Sequence, residues 1–391
     1  MKPLSEKICS VPLSAALAVD LRVKELTARG REIISFCVGE PDFPTAPVVC
    51  QTAHTAIDNG LTRYTNAPGT LALRTAIAGD LKARTAMDYT ANEIAVTTGA
   101  KYAVYATVCV LTDIGDEVIL PAPYWTSYRH LIALAGAAPA IVPTTAADGW
   151  KLTPEALERA IKAHTKALIL NNPNNPSGAV YSRDELAALL KVAKEADIYV
   201  IADEIYDAYT FTPEPFCPAA SIEKAYFENI VTVNGFSKSF AMTGWRVGYV
   251  AAEERIIRAV GTLLSHTTGC PCAVSQEAAL AALRNGRDYT EAMRQAFLRR
   301  RDMFTAIVSG TDGLGLVIPD GTFYCMPYIT GRLKERFGSA RVFANALLEQ
   351  EGVAVVPCGD YGAEDAMRLS LTLSEDKLRE GAERLVRFVR Q

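Results

Sequence analysis

The sequence predicts an α/β fold, with a large, mostly parallel sheet covered by helices and a second, smaller α+β domain. From about residue 90, short apolar runs alternate with amphipathic helical patterns, which is typical of a parallel sheet buried on both faces. Beyond a helical region that starts near residue 253, shorter strand-like runs and a closing helix replace this alternation. A chain of 391 residues also exceeds what one small core holds, so we expect two domains.

The order of the elements follows from these patterns. In the large domain, strands are predicted within 93–99, 116–125, 165–178, 198–207, 229–239 and 245–252, with helices at 100–113, 126–136 and 182–196. In the smaller domain, strands are predicted within 316–329, 352–362 and 366–374, and a helix at 375–390. Ligands of such sheets bind beyond the carboxyl ends of the strands. Five residues of unusual character fall at those ends: Gly99, Trp125, Asn175, Asp203 and Lys238.

Composition argues against several classes of protein. The formal net charge is −4 without a block of like charges, so we expect no nucleic-acid or membrane partner. The four histidines are far apart, and none has metal-ligand spacing, so we expect no metal. The longest uncharged run, 131–147, is interrupted by a glycine and two prolines and is a poor membrane span. Nine scattered cysteines are typical of a reduced, cytoplasmic protein, and Glu6 and Pro12 argue against a signal peptide.

Lys238 raises the main functional question. It follows a strand-like run in the segment GFSKSFAMTGWRVGY, residues 235–249, where Arg246 is a second isolated cation. A solvated loop lysine is the ordinary explanation, since lysines are mostly exposed. A nucleophilic amine with a lowered pKa is the functional alternative.

Three further strand ends allow both a structural and a functional interpretation. The junction at Gly99, Ala100 and Lys101 is either a plain turn or an anion site at a helix start. Asp203 is either a helix cap or a buried partner for a pyridine nitrogen. Asn172 and Asn175 each precede a proline, which favours extended geometry, and Asn175 lies either in a polar loop or as a rigid amide donor.

Together these segments resemble a known family, the class I (aspartate-type) aminotransferases of pyridoxal-phosphate fold type I. The run SKSFAMTGWRVG matches the family pattern S-K-x-x-x-x-x-G-x-R-x-G at every fixed position. The resemblance covers nearly the whole chain. Six more blocks are similar to that family in order: VGEPDFPTAP, RYTNAPGTLALR, PYWTSY, NNPNNPSGAVY, ADEIYD and MRLSLTLS.

The resemblance implies a pyridoxal 5′-phosphate site with assigned roles. Lys238 would form the aldimine with the cofactor and then move the proton between Cα and C4′, which requires a lowered pKa. Asp203 would pair with the pyridinium nitrogen, and Arg368 would bind the substrate α-carboxylate beside Gly39. Other implied cofactor contacts are the phosphate ligands Ser237, Arg246, Gly99, Ala100 and Lys101, the phenolic-oxygen ligands Tyr206 and Asn175, and the ring-stacking Trp125.

The resemblance also implies an assembly and a domain division. Active sites in the family are shared across a homodimer, and Tyr64 matches the tyrosine that reaches the partner's phosphate. The fold would have a seven-stranded sheet in a large domain at 46–290. The small α+β domain would combine residues 291–391 with the N-terminal segment 1–45.

The substrate is less tightly determined. Lys101 fits the lysine that one bacterial branch has in a GGKQ block, where it would bind a distal carboxylate, while a solvated helix-start lysine is the alternative. The N-terminal pattern of that branch has a serine and a threonine near the substrate. Ser14 matches the serine as a substrate contact, but Ala16 stands where the threonine would be. We therefore expect an amino group to move from an acidic amino acid, L-aspartate first, to 2-oxoglutarate by a ping-pong mechanism.

Other functions stay open at this point. Aromatic, prephenate-type and neutral substrates are alternatives, as is a β-lyase on the same scaffold, because small changes in the pocket redirect the cofactor's chemistry. A ligand-sensing DNA-binding regulator is a third class, and the slightly acidic charge argues against it.

Overall fold

The computed structural model describes residues 2, 4–9, 11 and 15–391. Its helices are α1 Glu6–Cys9, α2 Ala15–Ala28, α3 Pro47–Asp58, α4 Leu71–Thr85, α5 Ala100–Leu111, α6 Ser127–Ala135, α7 Pro154–Ala160, α8 Arg183–Glu195, α9 Glu254–His266, α10 Ala273–Asn285, α11 Arg287–Val308, α12 Gly331–Phe337, α13 Ala340–Glu351 and α14 Glu375–Arg390. Its strands are β1 Ile34–Ser35, β2 Ile94–Thr97, β3 Glu117–Ala122, β4 Ala138–Pro143, β5 Thr165–Asn171, β6 Tyr199–Asp203, β7 Ile230–Gly235, β8 Gly248–Ala251, β9 Leu314–Gly315, β10 Tyr324–Cys325, β11 Tyr328–Ile329, β12 Val353–Ala354, β13 Val356–Pro357 and β14 Met367–Ser370. Four 3₁₀ helices occur within the described residues, at Ala91–Glu93, Ala219–Ser221, Lys224–Asn229 and Gly359–Tyr361.

A seven-stranded sheet in the order β2-β8-β7-β6-β5-β3-β4 forms the centre of the large domain. Every neighbouring pair is parallel except the two that involve β8, which runs antiparallel to β2 and β7. Strands β2, β7 and β8 are buried along their whole length, as their apolar sequences require when helices cover both faces of a sheet. The predicted fold class, a mostly parallel α/β sheet with helices on both faces, is confirmed.

Strand β4 is an element that the sequence patterns did not predict. It contains Pro139 and Pro143, and proline cannot donate a ladder hydrogen bond. Such residues are tolerated here because β4 lies at the edge of the sheet and pairs only with β3. The uncharged run 131–147 therefore divides between helix α6 and this edge strand. No helix in the described part of the chain is long and apolar enough to cross a membrane.

The smaller α+β region combines segments from both ends of the chain. Strand β1 pairs in parallel with β12, and β14 pairs antiparallel with β10 and β13. Phe36 and Ile34 share one apolar core with residues of α13, β14 and α14. The fold class of a small domain built from both termini is thus confirmed, whereas the boundaries 1–45, 46–290 and 291–391 stay a prediction.

Helix α11 connects the two regions. Its first half packs Met293 and Phe297 against Tyr209 and Phe323, and its second half places Phe304 in the core of the small region. Between them, Arg300 donates from Nη1 and Nη2 to the carboxylate of Asp42 at 2.7 and 2.8 Å. Helix α11 therefore packs into both cores and also holds Asp42, three residues after Gly39.

Candidate active site

One cavity of about 400 Å³ lies at the carboxyl ends of the central strands. It is open where the two regions meet, and its walls come from β5, β6, the loop after β7 and the start of α5. The structure brings together here most of the residues expected from the sequence: Gly39, Ala100, Lys101, Trp125, Asn175, Asp203, Tyr206, Ser237, Lys238, Arg246 and Arg368. A larger cavity of about 630 Å³ lies behind the Lys238 loop and contains none of these residues.

Lys238 is half-buried, and both its main-chain carbonyl and its amine make hydrogen bonds. The Tyr209 hydroxyl donates to the Lys238 carbonyl at 2.8 Å, and Lys238 Nζ donates to the Gly39 carbonyl at 2.6 Å. Burial lowers the pKa of Lys238 to about 8, and Glu40 acts in the opposite direction. Three neighbouring cations add to the lowering: Arg368, Arg246 and Lys101. The amine is therefore far more available as a nucleophile than an ordinary lysine.

Asp203 ends β6 and is fully buried. The Tyr128 hydroxyl donates to Oδ2 at 2.6 Å and the Ile205 N–H donates to Oδ1 at 3.2 Å. Burial raises the pKa of Asp203 to about 6, although both hydrogen bonds oppose the rise. A turn rather than a helix follows Asp203, so the helix-cap interpretation is wrong. Among the described residues no cation pairs with this carboxylate, which leaves it to face the cavity.

Arg246 lines the cavity and lies against Gly99, at the start of α5. Gly99 is the residue before the helix and has φ +89, and a Cβ placed on it would overlap Arg246 Nη2. Arg246 itself has φ +58, an unfavourable region for a residue with a side chain. Its Nη1 donates to the Thr243 carbonyl at 2.8 Å. A guanidinium against free amide groups at a helix start is a site for an anion such as phosphate.

Arg368 lies on β14 at the opposite end of the cavity and is fully buried. Its Nη1 donates to Asn175 Oδ1 at 3.3 Å and its Nη2 donates to the Cys37 carbonyl at 3.1 Å. Its Cζ atom lies 4.6 Å from the ring centroid of Tyr324. A Cβ on Gly39 would lie 2.6 Å from the Tyr324 hydroxyl, so only a glycine leaves this corner open. A buried guanidinium that has no carboxylate partner among the described residues is suited to an anionic ligand.

Lys101 and Trp125 form the side of the cavity between these two ends. Lys101 Nζ lies 4.8 Å from the centroid of the Trp125 ring, and the indole packs edge-on against Tyr128. Partial burial lowers the pKa of Lys101, and the charge of Arg246 adds to the effect. Lys101 is an exposed residue, and its ammonium lies over the Trp125 ring in the lining of the cavity.

Three expected residues do not line this cavity, and one of them, Gly99, lies against Arg246. Tyr64 is 97% exposed on the segment between α3 and α4 and has no role in the site of its own chain. Ser14 lies outside the described residues. The structure also places in the cavity three tyrosines that sequence reasoning missed: Tyr128, Tyr324 and Tyr361. Only Tyr128 had a local signal, since it follows Trp125 by three residues at a helix start.

The chain matches known proteins over nearly its whole length. The family model described as aminotransferase class I and II matches residues 31–385. An aspartate/prephenate aminotransferase of Cereibacter sphaeroides is 39% identical over 98% of both chains, and an aspartate aminotransferase of Bacillus subtilis is 38% identical over 99% of this chain and 98% of its own. The chain belongs to the class I and II aminotransferases.

Solved structures agree with this assignment. An aspartate aminotransferase from Thermus thermophilus, solved with maleate, superposes with a TM-score of 0.92 at 37% identity over 99% of this chain and all of that chain. One from Rhizobium meliloti gives a TM-score of 0.95 at 34% identity over 100% of this chain and 99% of its own. The predicted family, fold type, aminotransferase activity and cofactor are confirmed. The aminotransferase depends on pyridoxal phosphate.

The residues of the cavity fit that cofactor. Its phosphate needs an anion site, which Arg246 and the helix start at Gly99 offer. Its pyridinium nitrogen needs a buried anion, and Asp203 is a buried carboxylate that lacks a cationic partner among the described residues. Its aldehyde needs a neutral amine, and Lys238 has a pKa lowered to about 8. Each of the three polar groups of the cofactor thus has a chemical complement in one cavity.

Proposed function

We propose that this aminotransferase transfers the α-amino group of L-aspartate to 2-oxoglutarate. The observation that supports this most directly is the pair of cations in the cavity wall, Arg368 and Lys101, with the Lys238 amine in the same cavity. Dicarboxylic substrates carry two anionic groups, and each needs a cation in a desolvated site. The names of the relatives from Bacillus subtilis and Thermus thermophilus support the same substrate.

The roles of the cavity residues follow from their chemistry. Pyridoxal phosphate supplies the electron-withdrawing ring that makes the substrate Cα proton acidic. Lys238 Nζ moves that proton between Cα and C4′, and its lowered pKa raises the fraction of neutral, basic amine near neutral pH. Asp203 holds a positive charge on the pyridine nitrogen, and the Tyr128 hydroxyl keeps its carboxylate in place at 2.6 Å.

The remaining contacts orient the cofactor and the substrate. Arg246, Ser237 and the amides near Gly99 bind the phosphate, and Trp125 stacks on the ring. Asn175 Oδ1 accepts a hydrogen bond from Arg368, so the amide N–H groups of Asn175 are free to donate. We assign these N–H groups and the Tyr206 hydroxyl to the phenolic oxygen of the cofactor. Further proposed contacts are Ala100 and Lys101 through their amides, and Gly39 and Ser14 toward the substrate.

A screen of half-reactions tests the proposed substrate. The purified enzyme is mixed with each common amino acid and with prephenate-type donors, and the absorbance of the cofactor is recorded before and after 2-oxoglutarate is added. We expect the largest change with aspartate and full recovery with 2-oxoglutarate. Lys238→Ala should abolish the change, whereas the surface variant Lys191→Ala should not. Release of ammonia and pyruvate without an acceptor would instead indicate a β-lyase.

Lys101 is the proposed ligand of the distal carboxylate. Lys101→Gln should raise the KM for aspartate at least about tenfold, because one charge-assisted hydrogen bond to a carboxylate is lost. The KM for alanine, which has no distal carboxylate, should change less than about twofold. Lys166→Gln removes an equal charge at the exposed start of β5 and serves as the control. An equal effect on both amino acids would contradict this role.

We also propose that the protein is a homodimer with shared active sites. We propose a cytoplasmic location, because nine reduced cysteines are typical of that compartment. Tyr64 is 97% exposed, and four other large apolar side chains within residues 48–71 are also exposed. These side chains are Val48, Ile57, Leu61 and Leu71. Such a group is typical of a surface that a second copy covers.

Subunit mixing tests the shared site. Neither Lys238→Ala nor Tyr64→Ala alone should be fully active, but the mixed dimer has one site with both native residues. Refolding equal amounts together should therefore restore about a quarter of the native activity. No recovery above the Tyr64→Ala variant would show that Tyr64 does not act across the interface.

A further inference from the structure

Tyr361 lies in the wall of the cavity, and no role has been assigned to it so far. It closes the 3₁₀ helix Gly359–Tyr361, and its main-chain carbonyl accepts the Tyr124 N–H at 3.0 Å. The next residue, Gly362, has φ +85, and a Cβ on it would lie 2.7 Å from Ala122 Cβ. The turn is thereby pressed against the end of β3, the strand whose loop carries Trp125. The position of the Tyr361 ring is fixed by main-chain contacts rather than by its hydroxyl.

The hydroxyls of the tyrosines in the cavity differ in their partners. Tyr128 donates to Asp203 at 2.6 Å, and the hydroxyls of Tyr206 and Tyr324 lie 3.3 Å apart. Tyr361 is the fourth tyrosine that lines the cavity, and its hydroxyl has no hydrogen-bond partner within residues 15–391. A polar group that a bound substrate would cover needs a partner, because desolvating it without one costs free energy. The hydroxyl is therefore available to a ligand.

The Tyr361 ring lies beside the guanidinium that receives the substrate carboxylate. Arg368 Cζ is 5.6 Å from the Tyr361 centroid and 4.6 Å from the Tyr324 centroid, so the cation lies between two aromatic faces. The buried Arg368 Nε has no partner among the described residues, and one N–H of each Nη is already used. The donors that Arg368 can still offer to a carboxylate are therefore Nε–H and one N–H on each Nη.

A carboxylate bound in this way keeps some of its capacity to accept hydrogen bonds. Its two oxygens offer about four lone-pair sites, and Arg368 fills two of them. A neutral phenol is a good third donor at this place, and burial raises the pKa of Tyr361 well above its usual value, which keeps the phenol neutral. The Tyr361 side chain is therefore a neutral hydrogen-bond donor, and main-chain contacts rather than the hydroxyl hold its ring in place.

We propose that the Tyr361 hydroxyl is a substrate-binding group that donates a hydrogen bond to the α-carboxylate held by Arg368. This assignment rests on the proposed function, because it takes the ligand of Arg368 to be the substrate carboxylate. Every amino-acid and 2-oxo-acid substrate has that carboxylate. The hydroxyl therefore strengthens the binding of all substrates and does not select among side chains.

The test compares Tyr361→Phe with the native holoenzyme. Phenylalanine keeps the ring against Arg368 and removes only the hydroxyl. Two measurements are made: the Kd of succinate by titration calorimetry, which needs no turnover, and the KM of two donors, aspartate and alanine. Tyr89→Phe is the control, since it removes a buried hydroxyl outside the cavity. The melting temperature of each variant checks that the fold is kept.

We expect Tyr361→Phe to weaken succinate binding about tenfold and to raise both KM values by a similar factor, with kcat changed less than about threefold. Tyr89→Phe should leave all these values within about twofold of the native protein. An unchanged succinate Kd in a folded Tyr361→Phe variant would overturn the proposal. So would a loss confined to aspartate, which would place the hydroxyl at the distal carboxylate. Failure of the native enzyme to use aspartate would contradict only the proposed substrate, because the alanine and succinate comparisons still report on Tyr361.

Discussion

The pKa of Lys238 gives a prediction that can be measured on the apoenzyme. A free lysine has a pKa of 10.5, whereas the Lys238 pKa is about 8 because burial and three neighbouring cations disfavour the ammonium. This difference corresponds to about 3 kcal/mol between the two protonation states. At pH 7, about a tenth of the Lys238 side chains should be neutral amines, about 300 times the fraction of an unperturbed lysine.

The rate of covalent attachment of pyridoxal phosphate to the apoenzyme measures this fraction. Only the neutral amine attacks the aldehyde, so the rate should rise with pH and level off above about pH 8. The assay follows the visible absorbance change after stopped-flow mixing between pH 6 and pH 10.5. A rate that keeps rising toward pH 10.5 would refute the argument that burial and charge activate this lysine.

Two variants separate the causes of the lowered pKa. Lys101→Gln removes a cation that lowers the pKa of Lys238, so the midpoint of the rate profile should move to higher pH. Glu40→Gln removes an anion that raises this pKa, so the midpoint should move to lower pH. If both variants moved the midpoint in the same direction, the electrostatic explanation would be wrong, even if the native midpoint were near 8.

Three further predictions concern the packing and the buried charges around the site. Gly99→Ala should lower the affinity for pyridoxal phosphate in an equilibrium titration, since the added Cβ overlaps the guanidinium of Arg246. The control Gly30→Ala should lower only the stability, because Gly30 has a similar φ of +82 but no neighbour within 4 Å. Asp203→Asn should slow the single-turnover half-reaction with aspartate about 100-fold or more, because a preorganised charge is lost. Glu204 is buried and its pKa is raised to about 8, so the folded state binds its proton more tightly than the unfolded state does. The stability gained in this way is fully present below about pH 4.5, and about 4 kcal/mol of it should be lost in urea unfolding as the pH rises to about 8. Glu204→Gln should flatten this dependence of stability on pH, and the exposed Glu228→Gln should not.

The elements with a clear period could be predicted from the sequence, and those with conflicting local signals could not. Runs such as residues 165–178 and 198–207 contain β5 and β6, because buried parallel strands are continuously apolar. Strand β4 was missed because Pro139 and Pro143 argue against a strand, and only its position at the edge of the sheet removes that objection. Edge position is a property of the whole sheet and is not encoded within any short window.

The site divides in a similar way. Asp203 and Lys238 were predictable because Asp203 ends β6 and Lys238 lies in the loop after β7, and parallel strands bring such ends together. Tyr361 was not, since it comes from a short 3₁₀ turn far along the chain, and its place beside Arg368 depends on how the C-terminal region packs against the end of β3. Proximity of this kind follows from tertiary structure and not from local pattern.

The cations of the cavity link substrate binding to the basicity of Lys238. Arg368 and Lys101 both lower the pKa of Lys238, and both are the proposed ligands of the substrate's carboxylates. A bound dicarboxylate would compensate these two charges and add negative charge within the same low-dielectric site. The pKa of Lys238 must then rise when substrate binds, because the ammonium is no longer disfavoured by them. The lowered pKa thus increases the neutral fraction that reacts with the cofactor, and the amine becomes a stronger base when a Cα proton is available to it.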